Sequence, residues 1–305
     1  MLLVSYTRDG DPARRLGVQS GDTVIDVAGL VSESCAAVPG LGAAPASVLD
    51  LIQAGPDALA ALDRLLTLPV PQTAQHPLAE VTLEAPLRPG KIIGVGLNYT
   101  EHVAESARTL DTDKELPQRP VLFSKPATAV TGPGKPILHN ADLTSQLDWE
   151  CELAVVIGKT AKSVRPKDAL EYVFGYSIIN DISARDQRRS GQWFYSKGQD
   201  SYAPFGPAIC TADDIADPQN LDLSLRVNGE VKQKGNTRHM LFRITDLIAD
   251  ISAGVTLEPG DVIATGSPAG VGASFTPQQF LVPGDVVEAT IESLGTLRNP
   301  VVDAR

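Results

Sequence analysis

"LDWECELAVVIGK", residues 147–159, sets two glutamates one position apart at the head of an apolar run. From Cys151 onward, Leu153, Val155, Val156 and Ile157 are strand formers without helical spacing, so the segment reads as a β-strand entering a core. Residues two apart on a strand point to the same face, roughly 6–7 Å apart along the chain, so Glu150 and Glu152 share one. Carboxylates so placed repel, and one keeps a proton unless a cation lies between them. Downstream, "FGYSIINDISARD" is another apolar strand, running into Asp181. Three such acids form an all-oxygen donor set suited to Mg2+, Mn2+ or Ca2+ rather than zinc. Spacing alone leaves a plainer reading open: two strand-edge glutamates and an aspartate closing a turn.

Working outward, the chain of 305 residues is long enough for one large domain or two smaller ones. A formal net charge of -11 argues against a nucleic-acid partner, because such a surface repels phosphate backbones. Cys35, Cys151 and Cys210 are scattered and form no zinc spacing, so they read as reduced thiols of a cytoplasmic protein. The opening "MLLVSYTRDGD" turns polar too early for a signal peptide, and no apolar run is long enough to span a bilayer. No membrane association is expected.

Residues 1–70 read as a small α+β domain: two short strands, then helical spacing over 46–68 broken at Gly55-Pro56. The proline-bearing stretch 71–90 reads as an extended connector. From residue 91 to 305 short strands dominate, with a hairpin signal at Asn228-Gly229. Helices are expected after Tyr99, around 167–172 and in "FRITDLIADIS". The fold class is therefore α+β and rich in β.

Further segments carry chemistry. In "NYTEHVAES", a helix would place His102 and Glu105 three apart on one face, where the carboxylate can orient the imidazole as a base for water. A routine surface contact fits that spacing equally. Lys197, in "WFYSKGQDSY", is suited to steadying an oxyanion or an anionic group, or is simply a loop lysine. "TGSPAGVG", 265–272, can bring backbone N–H groups and the hydroxyls of Thr265 and Ser267 to a ligand, or serve only as a tight turn. "GVGLNY" lacks the third glycine of a dinucleotide site, Lys135 of "TGPGKP" precedes a proline, and no G-x-S-x-G occurs.

Taken together, "GVGLNYTEHVAE", "LFSKP", "DWECELAVVIGK", "GYSIINDISARD", "KGQDSYAPFGP", "VNGEVKQKGNTRHMLF", "LIADISAGVTLEPGDVIATGSPAGVG" and "GTLRNPVV" resemble the fumarylacetoacetate hydrolase family over about 91–302. The resemblance implies a mixed β-roll catalytic domain, a homodimer, and a Mg2+-type ion (Mn2+ or Ca2+ being alternatives) held by Glu150, Glu152 and Asp181. It places the water-activating pair on His102 and Glu105, in a lid-like segment, and the family lysine on Lys197. Arg188 stands where relatives frequently carry Gln, and suits a second substrate carboxylate. Ser267 stands where Thr is common. The implied activity is hydrolysis of a C–C bond in an acylpyruvate-like 2,4-dioxo acid through a pyruvate enolate. Oxaloacetate-type decarboxylation or 2-oxo-acid tautomerisation and isomerisation on the same site is the alternative.

Overall fold

The computed structural model describes residues 1–33, 40–41, 44–100, 116–188 and 191–305. The chain is a strand-rich α+β protein with few helices. Among the described residues its largest sheet runs, edge to edge, through Gln75–Pro77, Thr23–Asp26, Asp11–Ser20, Leu2–Arg8, Ala203–Thr211, Val173–Asn180, Cys151–Ile157, Val262–Ala264, Ile92–Gly96 and Val121–Lys125. A second sheet carries Glu230–Asn236, Asp222–Val227, Val286–Ile291, Gly295–Asp303 and Ile137–His139.

Cys151–Ile157 is buried along its whole length because it pairs on both sides, with Val173–Asn180 and with Val262–Ala264. Alternate side chains therefore serve two cores, which is why the sequence shows a run rather than an alternation. Cys151, Leu153, Val155 and Ile157 join one core with the second sheet and the Ile244–Gly254 helix. Ala154 and Val156 join the other. Glu150 and Glu152 lie in register with that second row, so the acids and the second core share a face.

That second core crosses the anticipated domain boundary. Leu3, Val18 and Ile25 and the helices Val48–Ala54 and Pro56–Leu66 pack with Ile92, Val156, Ile179, Phe205 and Ile209. Main-chain pairing makes the same connection, with Leu3 opposite Ile209. The stretch 71–90 does run extended in places, and there it pairs: Gln75–Pro77 with Thr23–Asp26, Val81–Glu84 with Leu2–Arg8. Described residues within 1–90 thus form one wall of the core that continues into the acidic cluster.

Local signals appear where the residues place them. Pro56 starts the second helix at its first position, and Gly55 separates it from the first. Asn228 and Gly229 both take positive φ, 52° and 81°, giving the twisted two-residue turn that a hairpin needs. Residues 166–172 form a 3-10 helix, a tighter form common in connectors. The helix expected after Tyr99 falls outside the described residues. No helix among the described residues is long and apolar enough to cross a membrane.

Because both halves share this core, Leu3→Ala should cost about 2–5 kcal/mol. It should lower one cooperative thermal transition rather than split it in two. Differential scanning calorimetry tests this; a separate low-temperature transition for the N-terminal part would contradict it.

Candidate functional site

Strand register assembles the acids. Cys151 pairs with Asn180, which sets Glu150 beside Asp181 across the strand pair. The Asp181 N–H donates to the Glu150 carbonyl at 2.8 Å, and the Glu150 N–H to the Asn180 side chain at 3.0 Å. Glu152 lies two positions inward on the same row. All three are buried, and one carboxylate oxygen from each falls within 4.8 Å of the others.

Among the described residues, three cations reach into this cluster. Lys197, at the end of the short Trp193–Lys197 helix, stands 3.1 Å from Glu150 Oε2 and 2.5 Å from Asp181 Oδ2, and also donates to the Ser183 hydroxyl. Arg185 places Nη1 2.7 Å from Glu150 Oε1. Lys125 Nζ lies 2.6 Å from Asp181 Oδ1. Arg185 is in turn held through Nε by Asp148, 2.8 Å away. Asp148 also accepts from the N–H groups of Trp149, Gly272 and Ala273, so it ties the arginine to the 265–274 segment.

Glu152 is treated differently. Oε2 accepts from the Gly266 N–H at 2.9 Å, while Oε1 is buried and has no hydrogen-bond partner. A buried charge left this way is costly. Burial, reinforced by Asp181 and Glu150, pushes the Glu152 carboxyl well above the usual carboxylate range. Burial also disfavours the Lys197 ammonium, but Asp181 and Glu150 outweigh it and the net shift is upward. The donor set is all oxygen, Glu152 Oε1 and Asp181 Oδ1 have no hydrogen-bond partner, and Glu152 has no ion-pair partner among the described residues. These residues fit a hard divalent ion.

Around the acids, Asn98 organises the loops. Its side chain donates to the Thr265 and Phe242 carbonyls and accepts from the Phe242 N–H. Gly266 passes beneath it at φ 94°, where a Cβ would come 2.7 Å from Asn98 Cβ. Thr265, expected at the ligand, donates its hydroxyl to the Leu153 carbonyl at 2.9 Å, which leaves it only as an acceptor. Ser267 Oγ is buried and unpartnered, and Arg185 Nη2 likewise. These two donors are available to a ligand.

Beside Lys197 an aromatic pair forms. Phe123 and Trp193 lie 5.3 Å apart between centroids, with Lys197 Nζ 4.9 Å from the Phe123 ring. Gly94 and Gly96 make room for them, since a Cβ at either would collide with Phe123 or Trp193 respectively. The Arg188 guanidinium stacks 4.1 Å from the Trp193 centroid and has no carboxylate partner among the described residues. His102 and Glu105 lie outside the described residues. Sequence reasoning assigned no role to Lys125, Asp148, Arg185 or Asn98. Their blocks were visible, but only the fold brings their partners near.

The profile of the fumarylacetoacetate (FAA) hydrolase C-terminal family matches residues 91–302. The chain belongs to the fumarylacetoacetate hydrolase family. It is an enzyme of that family by its whole length as well. It is 38% identical to the fumarylacetoacetate hydrolase of the psychrophile Exiguobacterium antarcticum, with a TM-score of 0.81 covering 99% of each chain. It is 44% identical to oxaloacetate tautomerase YisK of Bacillus subtilis over 229 residues, 74% of this chain and 75% of that one. It is 33% identical to a Sphingobium maleylpyruvate hydrolase solved with manganese(II) and pyruvate, with a TM-score of 0.78 and full coverage of both chains. The buried triad of Glu150, Glu152 and Asp181, together with that manganese-bound neighbour, points to a divalent metal site.

The direction of the Glu152 shift predicts a pH effect. Above the ordinary glutamate range the folded, metal-free protein keeps a proton on Glu152 that the unfolded chain gives up. Its stability should therefore fall as pH rises from the ordinary glutamate range towards the raised value. Added Mn2+ replaces the proton and should flatten that fall. Thermal melts with EDTA and with Mn2+ over roughly pH 5–8 measure it; parallel curves would count against an ion at the triad.

Proposed function

We propose that this enzyme interconverts the enol and keto forms of a short 2-oxo dicarboxylic acid, oxaloacetate being the simplest. The observation that carries the reading is the buried, unpartnered oxygen of Glu152 within a triad already flanked by Lys197 and Arg185. That arrangement suits a ligand carrying both an ion and negative charge. Similarity to proteins named oxaloacetate tautomerases supports tautomerisation over the hydrolysis first implied by the sequence blocks.

An ion held by Glu150, Glu152 and Asp181, Mg2+ or Mn2+, would act as a Lewis acid towards the 2-oxo carboxylate and so acidify C3. The chain's own groups do the rest. Arg185 Nη2 and Ser267 Oγ offer donors to the bound carboxylate. Lys197 steadies the charge that develops on the C2 oxygen when a proton leaves C3. His102, oriented by Glu105, carries that proton, which returns to oxygen in the enol or to carbon in the keto form. Arg188, stacked on Trp193, meets the second carboxylate.

Hydrolysis is the second reading, favoured by the maleylpyruvate hydrolase neighbour. It needs His102 to deprotonate water for attack on a distal carbonyl. The enol absorbance of oxaloacetate, followed beside acylpyruvate cleavage and CO2 release, separates the reactions. Accelerated enol decay without acid or CO2 release is expected. Acylpyruvate cleavage with enol decay at the uncatalysed rate would replace this reading with the other. His102→Ala and Glu105→Gln should each slow turnover by about 100-fold.

Arg188→Ala should raise KM for the dicarboxylate about tenfold, equivalent to about 1.4 kcal/mol, with kcat little changed. A monocarboxylic 2-oxo acid should show no such penalty. Equal effects on both substrates would remove Arg188 from the substrate site.

A further inference from the structure

Lys125 ends the Val121–Lys125 strand and is 2% exposed, so no substrate reaches it. Its Nζ donates to the carbonyls of Ile182 at 3.2 Å, Tyr202 at 2.8 Å and Lys197, and faces Asp181 Oδ1 at 2.6 Å. Three carbonyls take three N–H bonds, and only the protonated amine has three. Burial shifts the Lys125 amine downward, with Asp181 opposing it, and the three carbonyls match the three N–H groups of the ammonium form. Two of those carbonyls belong to the residue after Asp181 and to Lys197 itself. One enclosed charge therefore ties together a metal-ligating carboxylate, the turn that presents it, and the helix end that presents the lysine.

We propose that Lys125 is a positioning residue that sets both the affinity of the carboxylate triad for its divalent ion and the placement of Lys197. The inference rests on the reading that Glu150, Glu152 and Asp181 hold such an ion. Unlike Lys197, which ends a solvent-facing helix, Lys125 has three main-chain anchors from separate segments and no path outward. As an ammonium it sets a positive charge against Asp181 inside the pocket. It opposes a second cation at Asp181, and whole charges a few ångströms apart in a water-poor interior interact strongly. Against that stands only the orienting of one carboxylate, a rotamer's worth of entropy. Charge wins, so Lys125 keeps the ion more weakly held than the three acids alone would. An ion less neutralised by its ligands is also the stronger Lewis acid.

Neutralising Lys125 should then tighten ion binding while slowing turnover, because the Lys197 main chain loses its anchor. Partial unfolding weakens both and cannot give that pair of changes. Lys125→Gln keeps an amide that can donate to two of the three carbonyls, and Lys125→Arg keeps the charge in a different shape. Full-length wild type and both variants are titrated with Mn2+ by the electron paramagnetic resonance of the free ion, with thermal melts alongside. The enol decay of oxaloacetate is assayed at saturating Mn2+. The Gln variant should bind Mn2+ about tenfold tighter and turn over about tenfold slower at nearly unchanged KM. The Arg variant should bind Mn2+ within about threefold of wild type and turn over more slowly.

Wild type that binds Mn2+ beside a Gln variant that binds it equally or more weakly overturns this proposal and leaves the triad standing. Wild type that binds no Mn2+ overturns both. Should the Gln variant fail to fold, the Arg variant decides, since wild-type turnover in it would remove the positioning role.

Discussion

Three carboxylates in a nearly dry strand pair are the constraint around which this enzyme is built. Glu150 and Asp181 are neighbours because Cys151 pairs with Asn180, and Glu152 follows by the two-residue repeat of a strand. Such a cluster persists only with compensating charge, and the protein supplies it in an ordered way. Arg185 serves Glu150, Lys125 serves Asp181, and Lys197 bridges the two. Only Glu152 receives no cation within contact distance among the described residues, so the deficit is concentrated on one oxygen. That oxygen is where added positive charge gains most.

Holding these groups still falls to parts that never meet a ligand. Asp148 fixes Arg185 to the 265–274 segment, and Asn98 fixes that segment to Phe242. Gly266 lets the loop pass close enough for its N–H to reach Glu152. Behind the row of acids, Ala154 and Val156 continue into a core shared with Leu3, Leu51 and Leu62. The N-terminal residues therefore act on the site mechanically, by fixing the strand on which the glutamates sit. A Leu or Ile in that core resists displacement at close-packed density, and small shifts there would be felt along the row.

Local physics was legible in the sequence, whereas long-range pairing was not. The hairpin at Asn228-Gly229, the helix break at Gly55-Pro56 and the shared face of Glu150 and Glu152 each depend on residues within a few positions. Continuity of the large sheet depends on Leu3 meeting Ile209, which no local pattern announces. Lys125 illustrates the same limit. In "LFSK" it ends a short strand, and nothing local announces the carbonyls 57 to 77 residues away that enclose it. Arg185 and Asp148 lie in quoted blocks, but their pairing spans 37 residues and no local pattern marks it. Thr265 and Ser267 were equivalent as hydroxyls in a glycine-rich turn, and only the fold separates one bonded to Leu153 from one left free.

Tautomerisation, decarboxylation and C–C hydrolysis all pass through an enolate, so a carboxylate triad with its ion does not choose among them. The choice is made by what reaches the far end of the substrate. Water there permits hydrolysis; a fixed cation there selects a second carboxylate and, by holding it as the anion, opposes its departure as CO2. In the proposed reading Arg188 serves that end; it is braced on Trp193, which in turn packs on Phe123 over two glycines. The guanidinium cannot be lost from the stack without leaving a half-buried indole uncovered, so its position is set by packing before any substrate arrives. On the proposed reading, the carboxylate triad on the strands supplies the shared chemistry and this aromatic brace selects the substrate's second carboxylate.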